Sequence, residues 1–313
     1  VTARATGRLE VAGLEVAGLE IDAAAPRMWL CGQRRGRPAV VCEPGLGASS
    51  VGWSRIRDGL AAATLVISYD RSGLGASPAR PGGRGVRSLS ADLAHIIEVA
   101  CAGTPAVVVG HSLGATLARY LGAIRPDLVA GLVLIDPIPD HWVLRHARWA
   151  APIGETAYVA MSVLARLDLI DATMRLPLFR RITRSSTSPE TALADRERAL
   201  LADEMRRPGS HHAARREFGG LLRSRAELLA MCANAAITVP LTVISCGRTH
   251  RLTSRLRQSA TAWHAALVEQ SPNARHVVVD DGRHSVPRYQ PDLVTAATVE
   301  LLNRIRASEI PAV

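Results

Sequence analysis

The apolar positions of the chain follow two rhythms. Short unbroken runs rich in β-branched residues read as strands buried on both faces: PAVVC (Pro38–Cys42), TLVISYD ending at Asp70, PAVVVG ahead of His111, GLVLID ending at Asp136, VPLTVISCG and ARHVVVD. Between them lie longer stretches with helical spacing, from Trp53 to Ala63, Val86 to Ala102, LGATLARYLGAIRPD with its break at Pro126, a segment through Trp263, and a closing helix from near Tyr289 to Arg306. Alternation of this kind predicts an α/β fold, a mostly parallel central sheet with helices on both faces. The rhythm lapses once. From Pro137 to near Ala236 there are only helical segments such as TAYVAMSVLARLDLI, so we expect a core of residues 1–136 and 237–313 interrupted by a helical cap at 137–236. The opening GRLEVAGLEVAGLEID alternates polar and apolar residues and predicts a strand or hairpin.

Composition narrows the picture. With 313 residues, 48% hydrophobic and 21% charged, the chain can bury a full core, which excludes disorder as its main state. No apolar run approaches the roughly 18 residues of a membrane span, and the opening lacks a hydrophobic signal core, so a soluble, cytoplasmic protein is expected. Five cysteines, an odd number without a CxxC pair, point to free buried thiols rather than a disulfide framework or a metal site. All 38 basic residues are Arg, as a GC-rich genome would favour, so the net charge of +10 is not read as a nucleic-acid footprint. Fifteen Arg against ten Asp and Glu between His141 and Ala235 are read as a solvated face, with an anionic membrane surface or acidic substrate as the functional alternative.

The chemistry concentrates in VVVGHSLGATLARYL. Gly110, His111, Ser112, Leu113 and Gly114 form GxSxG between a predicted strand and a predicted helix, the context that motif requires. A nucleophile on so tight a turn projects its hydroxyl above the sheet, and glycines let the backbone close. The Leu113 amide, at the amino end of the new helix, can donate to an oxyanion. A serine needs a base, and His284 in DDGRHSVPRYQPDLV follows the last strand at the right point in chain order. His111 belongs to the turn itself, His95 to a helix, and His211 and His212 to the helical insertion.

With PGLGASSVGW (Pro44–Trp53), YDRSGLGAS, GHSLG and DDGRH in that order, the chain resembles the α/β-hydrolase superfamily in its capped branch, from about residue 25 to 306. The resemblance implies an oxyanion turn at Pro44–Trp53, with the Leu46 amide as second donor, and a Ser-His-acid triad. In most members the acid follows the strand matching VPLTVISCG. Here that strand leads into RTHRLTSRLRQ, with no carboxylate before Glu269. Haloalkane dehalogenases carry the acid after the preceding strand, where LIDPIPDHW offers Asp136 and, four residues on, Asp140. Asp280 and Asp281 sit so near His284 in sequence that they are read as shaping its loop.

The resemblance implies a serine hydrolase for a carboxylic ester or related acyl bond, needing no cofactor. Ser in place of Asp as nucleophile argues against dehalogenase and epoxide hydrolase chemistry. The substrate is expected to be a small apolar molecule, held under a Leu-, Met- and Ala-rich cap by Trp142, Trp149 and Phe179. Two other readings compete. PAVVCEPGLGASS with TLVISYD imitates a dinucleotide-binding βαβ, with Asp70 as its acid, but Ser50 stands where the third glycine belongs and GHSLG is left unexplained. The fold could also serve a non-catalytic binding protein.

Overall fold

The computed structural model describes residues 4–11, 14–20, 26–177, 195–233, 237–247, 254–271 and 273–309. Nine strands form one sheet: β1 (Arg4–Val11), β2 (Leu14–Glu20), β3 (Met28–Cys31), β4 (Val40–Glu43), β5 (Val66–Tyr69), β6 (Ala106–His111), β7 (Val129–Ile135), β8 (Leu241–Cys246) and β9 (Ala274–Val279). Their order is β1-β2-β3-β5-β4-β6-β7-β8-β9. The opening segment is the expected hairpin, β1 antiparallel to β2 with Val11 opposite Leu14. It continues antiparallel through β3 to β5, and from β5 to β9 all pairs are parallel.

The inner parallel strands β4, β6, β7 and β8 are mostly apolar and almost wholly buried because both of their faces are covered, whereas the edge strand β9, with Arg275 and His276, is only partly covered. In β4, Val41 faces one layer and Val40 and Cys42 the other. The first layer is closed by Leu93, Ile96 and Ile97 of α2 (Val86–Ala100) and Ala115, Ala118 and Leu121 of α3 (Leu113–Ile124). The second is closed by Ile56 and Leu60 of α1 (Ser54–Leu60) and by Val294, Leu301 and Leu302 of a long terminal helix, Pro291–Glu309. Four cysteines, Cys31, Cys42, Cys101 and Cys246, are buried free thiols, and the side chain of Cys232 lies outside the described residues.

Between β7 and β8 every described element is helical: α4 (Asp140–Arg166), α5 (Ile170–Arg175), α6 (Asp195–Arg206), α7 (Pro208–Arg223) and α8 (Arg225–Ala233). Helix α4 lies along α7, with Gly154 so close to the Phe218 ring that a Cβ there would stand 2.2 Å from it. The group docks on the core through backbone as well: a Cβ at Gly220 would meet the Arg84 carbonyl oxygen at 2.0 Å, and the Ser224 hydroxyl accepts the Val86 amide at 2.8 Å. Arg206 pairs with Asp171 and Arg223 with Glu155 at the surface, so part of the arginine excess is balanced locally. No helix among the described residues is long and apolar enough to cross a membrane. The remaining helices are α9 (Ser254–Glu269), the single turn α10 (Val286–Tyr289) and α11, the terminal helix.

Candidate active site

The strand order reverses between β5-β4 and β6, and the carboxyl ends of strands flanking such a switch form a crevice. Glu43 at the end of β4 pairs with Gly110 of β6, and His111 pairs with Ile135 of β7. The next residues along the three strands, Pro44 onward, Ser112 and Asp136, therefore emerge side by side. Ser112 and Asp136 both have positive φ, 55° and 43°, conformations uncommon outside glycine and concentrated at functional sites. The turn at Ser112 closes because its neighbours lack side chains: a Cβ on Gly110 would stand 2.5 Å from the Gly114 carbonyl oxygen, and one on Gly114 2.3 Å from that of Glu43.

His284, in the loop between β9 and α10, joins the two. Its Nδ1 lies 2.5 Å from Asp136 Oδ2 and its Nε2 3.0 Å from Ser112 Oγ. A carboxylate can only accept, so Nδ1 carries the proton and Nε2 is left to accept the Ser112 hydroxyl. Burial works against the charge of Asp136, but the hydrogen bond and charge of His284, joined by Arg257, outweigh it and hold the carboxyl well below the usual range. Arg257 Nη1 donates to Oδ1 at 2.5 Å, so both carboxylate oxygens are engaged. Asp140 lies elsewhere. It is the first residue of α4 and pairs with Arg119, whose guanidinium also stacks over Trp263. Asp281 accepts from the Gln290 side chain.

Two histidine arrangements brace the site. His111 Nε2 donates to the His284 carbonyl at 2.7 Å, and the two rings are 4.8 Å apart. Burial, then the neighbouring His284, pushes the His111 pKa down to about 3, so it stays neutral. Below Asp136, His264 Nε2 donates to the Pro137 carbonyl at 2.8 Å. Its Nδ1 must then accept from the Ser245 hydroxyl at 2.7 Å, and Ser245 in turn accepts from His276 Nε2 at 2.7 Å. This head-to-tail relay ties β8, β9 and α9 to the backbone that follows Asp136.

The turn after β4 is held from behind. Arg71, fully buried, donates to the carbonyls of Pro44 at 2.7 Å and Gly45 at 2.6 Å, to Glu43 at 2.7 Å, and through two bonds of 2.7 and 2.8 Å to Glu217 of α7. Glu217 also accepts the Gly47 amide at 3.0 Å. In a trans peptide the C=O and N–H point opposite ways. With the Gly45 carbonyl aimed at Arg71, the Leu46 amide of the same peptide unit faces away from it. Leu113 contributes the first amide of α3, which a helix leaves without an intrahelical acceptor. Burial pushes Glu43 up to about 7 against the opposing pull of Arg71 and Tyr69.

A cavity of about 350 Å³ opens on Ser112 and His284, walled by the turn Pro44–Ser49, Trp53, Tyr158, Pro287 and Arg288. Its lining is more polar than the cap's composition suggested. Among the described cap residues Tyr158 reaches it; Trp149 is 68% exposed, Trp142 is not in the wall, and Phe179 lies outside the described residues. Asp70, the acid of the dinucleotide-binding alternative, has its oxygens on the amides of Ser50 and Ala76, fixing two turns of the fold. Among the described residues no cluster of three His, Cys, Asp or Glu is arranged to hold a metal. Arg71, Glu217 and Arg257 carried no sequence signal of their own, because each acts through a partner distant along the chain.

RutD of Variovorax paradoxus, which its name assigns to carbamate hydrolysis, is 33% identical over 137 residues, 43% of this chain and 46% of its own. Lipase LipV of Mycobacterium tuberculosis is 64% identical over 33 residues, 10% of this chain and 13% of its own. These matches span less than half the length of either relative. Among solved structures, Cfl2 from Burkholderia cenocepacia superposes with a TM-score of 0.71 at 19% identity, covering 96% of this chain and 99% of its own. The epoxide hydrolase CorEH does so with 0.66 at 20%, covering 97% and 99%. At such identity they establish the fold alone. The sequence matches the Alpha/beta hydrolase family over residues 40–297, from β4 into the terminal helix, and the chain belongs to that family.

Proposed function

We propose that the protein is a serine hydrolase that cleaves a carboxylic ester or related acyl bond. The observation that carries this reading is the continuous hydrogen-bonded run from Ser112 Oγ through His284 to Asp136 at the mouth of a cavity. Ser112 Oγ attacks the acyl carbon as His284 Nε2 takes its proton, and the carbonyl oxygen gathers charge facing the amides of Leu46 and Leu113. When the carbonyl re-forms, the bond to the leaving group breaks and His284 returns the proton to it. Water then enters the same cycle, releasing the acid and restoring Ser112. Asp136 holds the His284 tautomer and stabilises its cationic form. A serine nucleophile separates this site from the carboxylate chemistry of epoxide hydrolases, whatever the fold shared with CorEH. The likeness to RutD makes a carbamate one acyl bond to assay. In this reading residues 1–136 and 237–313 are the catalytic core and 137–236 the cap.

The test is covalent labelling of Ser112 by a fluorophosphonate together with turnover of p-nitrophenyl esters. We expect labelling and hydrolysis in the wild type and a loss of several orders of magnitude in Ser112→Ala with folding intact, since the hydroxyl contributes little packing. An unlabelled serine, or comparable turnover by Ser112→Ala, would return the chain to the reading of a hydrolase fold used for binding.

A further inference from the structure

Several of the arginines packed into this protein are matched to carboxylates, while buried Arg84 is held by the Ser72 carbonyl instead. Arg71 lies between Glu43 and Glu217, Arg119 is on Asp140, and Arg257 is on Asp136. Arg288 has no carboxylate within ion-pair distance. It stands four residues past His284 on α10 and lines the same cavity as Ser112, and among the described residues its guanidinium makes no hydrogen bond and no ion pair. Its position is nonetheless built. The side chain lies against Gly52, where a Cβ would come within 3.2 Å of Nε and 3.8 Å of Nη2, so a glycine there leaves room for the guanidinium.

Burial lowers the Arg288 pKa, although an arginine of this kind keeps its charge at any working pH. Of the carboxylates whose charge reaches it, Glu204 acts most strongly, from outside ion-pair distance. Burial pushes Glu204 itself up to about 7, so this counter-charge is incomplete at neutral pH. A partly desolvated guanidinium with an unfilled donor fork is costly to maintain, and a ligand carboxylate is the group that fills it bidentately.

We infer that the substrate carries a second, ionised carboxylate, not itself cleaved, which Arg288 binds while Ser112 attacks the acyl group. The inference rests on the serine hydrolase reading and adds the chemical class of the substrate: a short acid with one end esterified or otherwise acylated and the other free. The cavity suits that size, for about 350 Å³ lies at the lower end of small-molecule sites. It also explains why the wall beside Ser112 is polar.

The experiment compares p-nitrophenyl hemiesters of succinate and glutarate with their methyl-capped, neutral counterparts. We expect the wild type to favour the hemiester in kcat/KM by about 10- to 100-fold, the range of a charge-assisted hydrogen-bonded contact. Added salt should shrink the preference. In Arg288→Met the ratio should fall to near one, and in Glu204→Gln, which removes the competing carboxylate, it should rise. Equal or better turnover of the neutral ester by the wild type overturns the inference. Should Arg288→Met not fold, wild-type inhibition decides, because glutarate must inhibit more strongly than glutaramide. If no ester of either kind is hydrolysed and Ser112 is not labelled, the serine hydrolase reading has failed on its own. Arg288 is then judged by binding: a glutarate-induced rise in Tm that is present in the wild type and absent in Arg288→Met supports the anion site, and no rise refutes it.

Discussion

Replacing Glu217 by Gln asks whether the cap governs the turn it touches. Glu217 reaches from α7 to two buried bonds on Arg71 and one part-buried bond on the Gly47 amide. Removing one partner of a buried ion pair typically costs about 3–5 kcal/mol. Two features reduce that here. Gln keeps a carbonyl that can accept from Arg71 or Gly47. Glu43 also shares Arg71, and part of what holds its pKa up is the charge of Glu217, so it ionises more fully when that charge is gone. We therefore expect a loss of about 2 kcal/mol, read as a lower urea midpoint and a Tm reduced by about 4 °C. The kinetic effect should be separate. With the Gly47 amide released, the neighbouring Leu46 amide is positioned less sharply, and kcat should fall by about 10- to 100-fold while KM moves little. Steady-state kinetics on a p-nitrophenyl ester, beside urea unfolding, reads both. Lost stability with kcat intact would show that the core alone holds the turn.

Asp136→Asn should lower kcat by about 10³–10⁴, as loss of the group that sets a histidine's tautomer does elsewhere, whereas Asp140→Asn should keep near wild-type kcat and lower Tm, because Arg119 loses its charged partner. The reverse result would move the acid to Asp140. His264 is buried and neutral, with its pKa lowered, so the unfolded chain binds the extra proton first as pH falls through about 6.5. Its contribution to stability is complete above that pH and is lost below it. The wild-type urea midpoint should drop from pH 6.5 to 5 more steeply than that of His264→Gln, by at most about 1.4 kcal/mol per pH unit. Parallel curves would refute the assignment.

Much of the sheet was readable because a strand covered on both faces is mostly apolar along its length, as Val107, Val108 and Val109 are. Strand β3 escaped because its four residues, Met28–Cys31, are half-covered in their middle and bounded by no strong turn signal. The candidates Ser112 and His284 stood out because each sits in a local motif whose shape is set by its neighbours. Which of Asp136 and Asp140 lies against His284 could not be read, since that depends on a positive φ at Asp136 and on where Arg119, on another helix, happens to point. The segment RTHRLTSRLRQ was notable for lacking a carboxylate; what it contributes is Arg257, bound to a carboxylate 121 residues earlier. The expectation of an apolar acyl or aryl pocket rested on cap composition, which counts tryptophans but does not say which way they face, and Trp149 faces water.

The Glu43–Arg71–Glu217 cluster bears on how such a protein can change. A cap inserted in a sheet fold looks like an exchangeable module, something recombination or a protein engineer could replace to obtain a new substrate range. Here a graft that ended the cap cleanly at its junctions would still leave Arg71 in the core with half its counter-charge missing and the Gly47 amide without an acceptor. A donor cap must bring a carboxylate to the place of Glu217, or the recipient must lose Arg71 and rebuild the turn. Positions 43, 71 and 217 would have to be exchanged together, and the workable unit of exchange is larger than the cap.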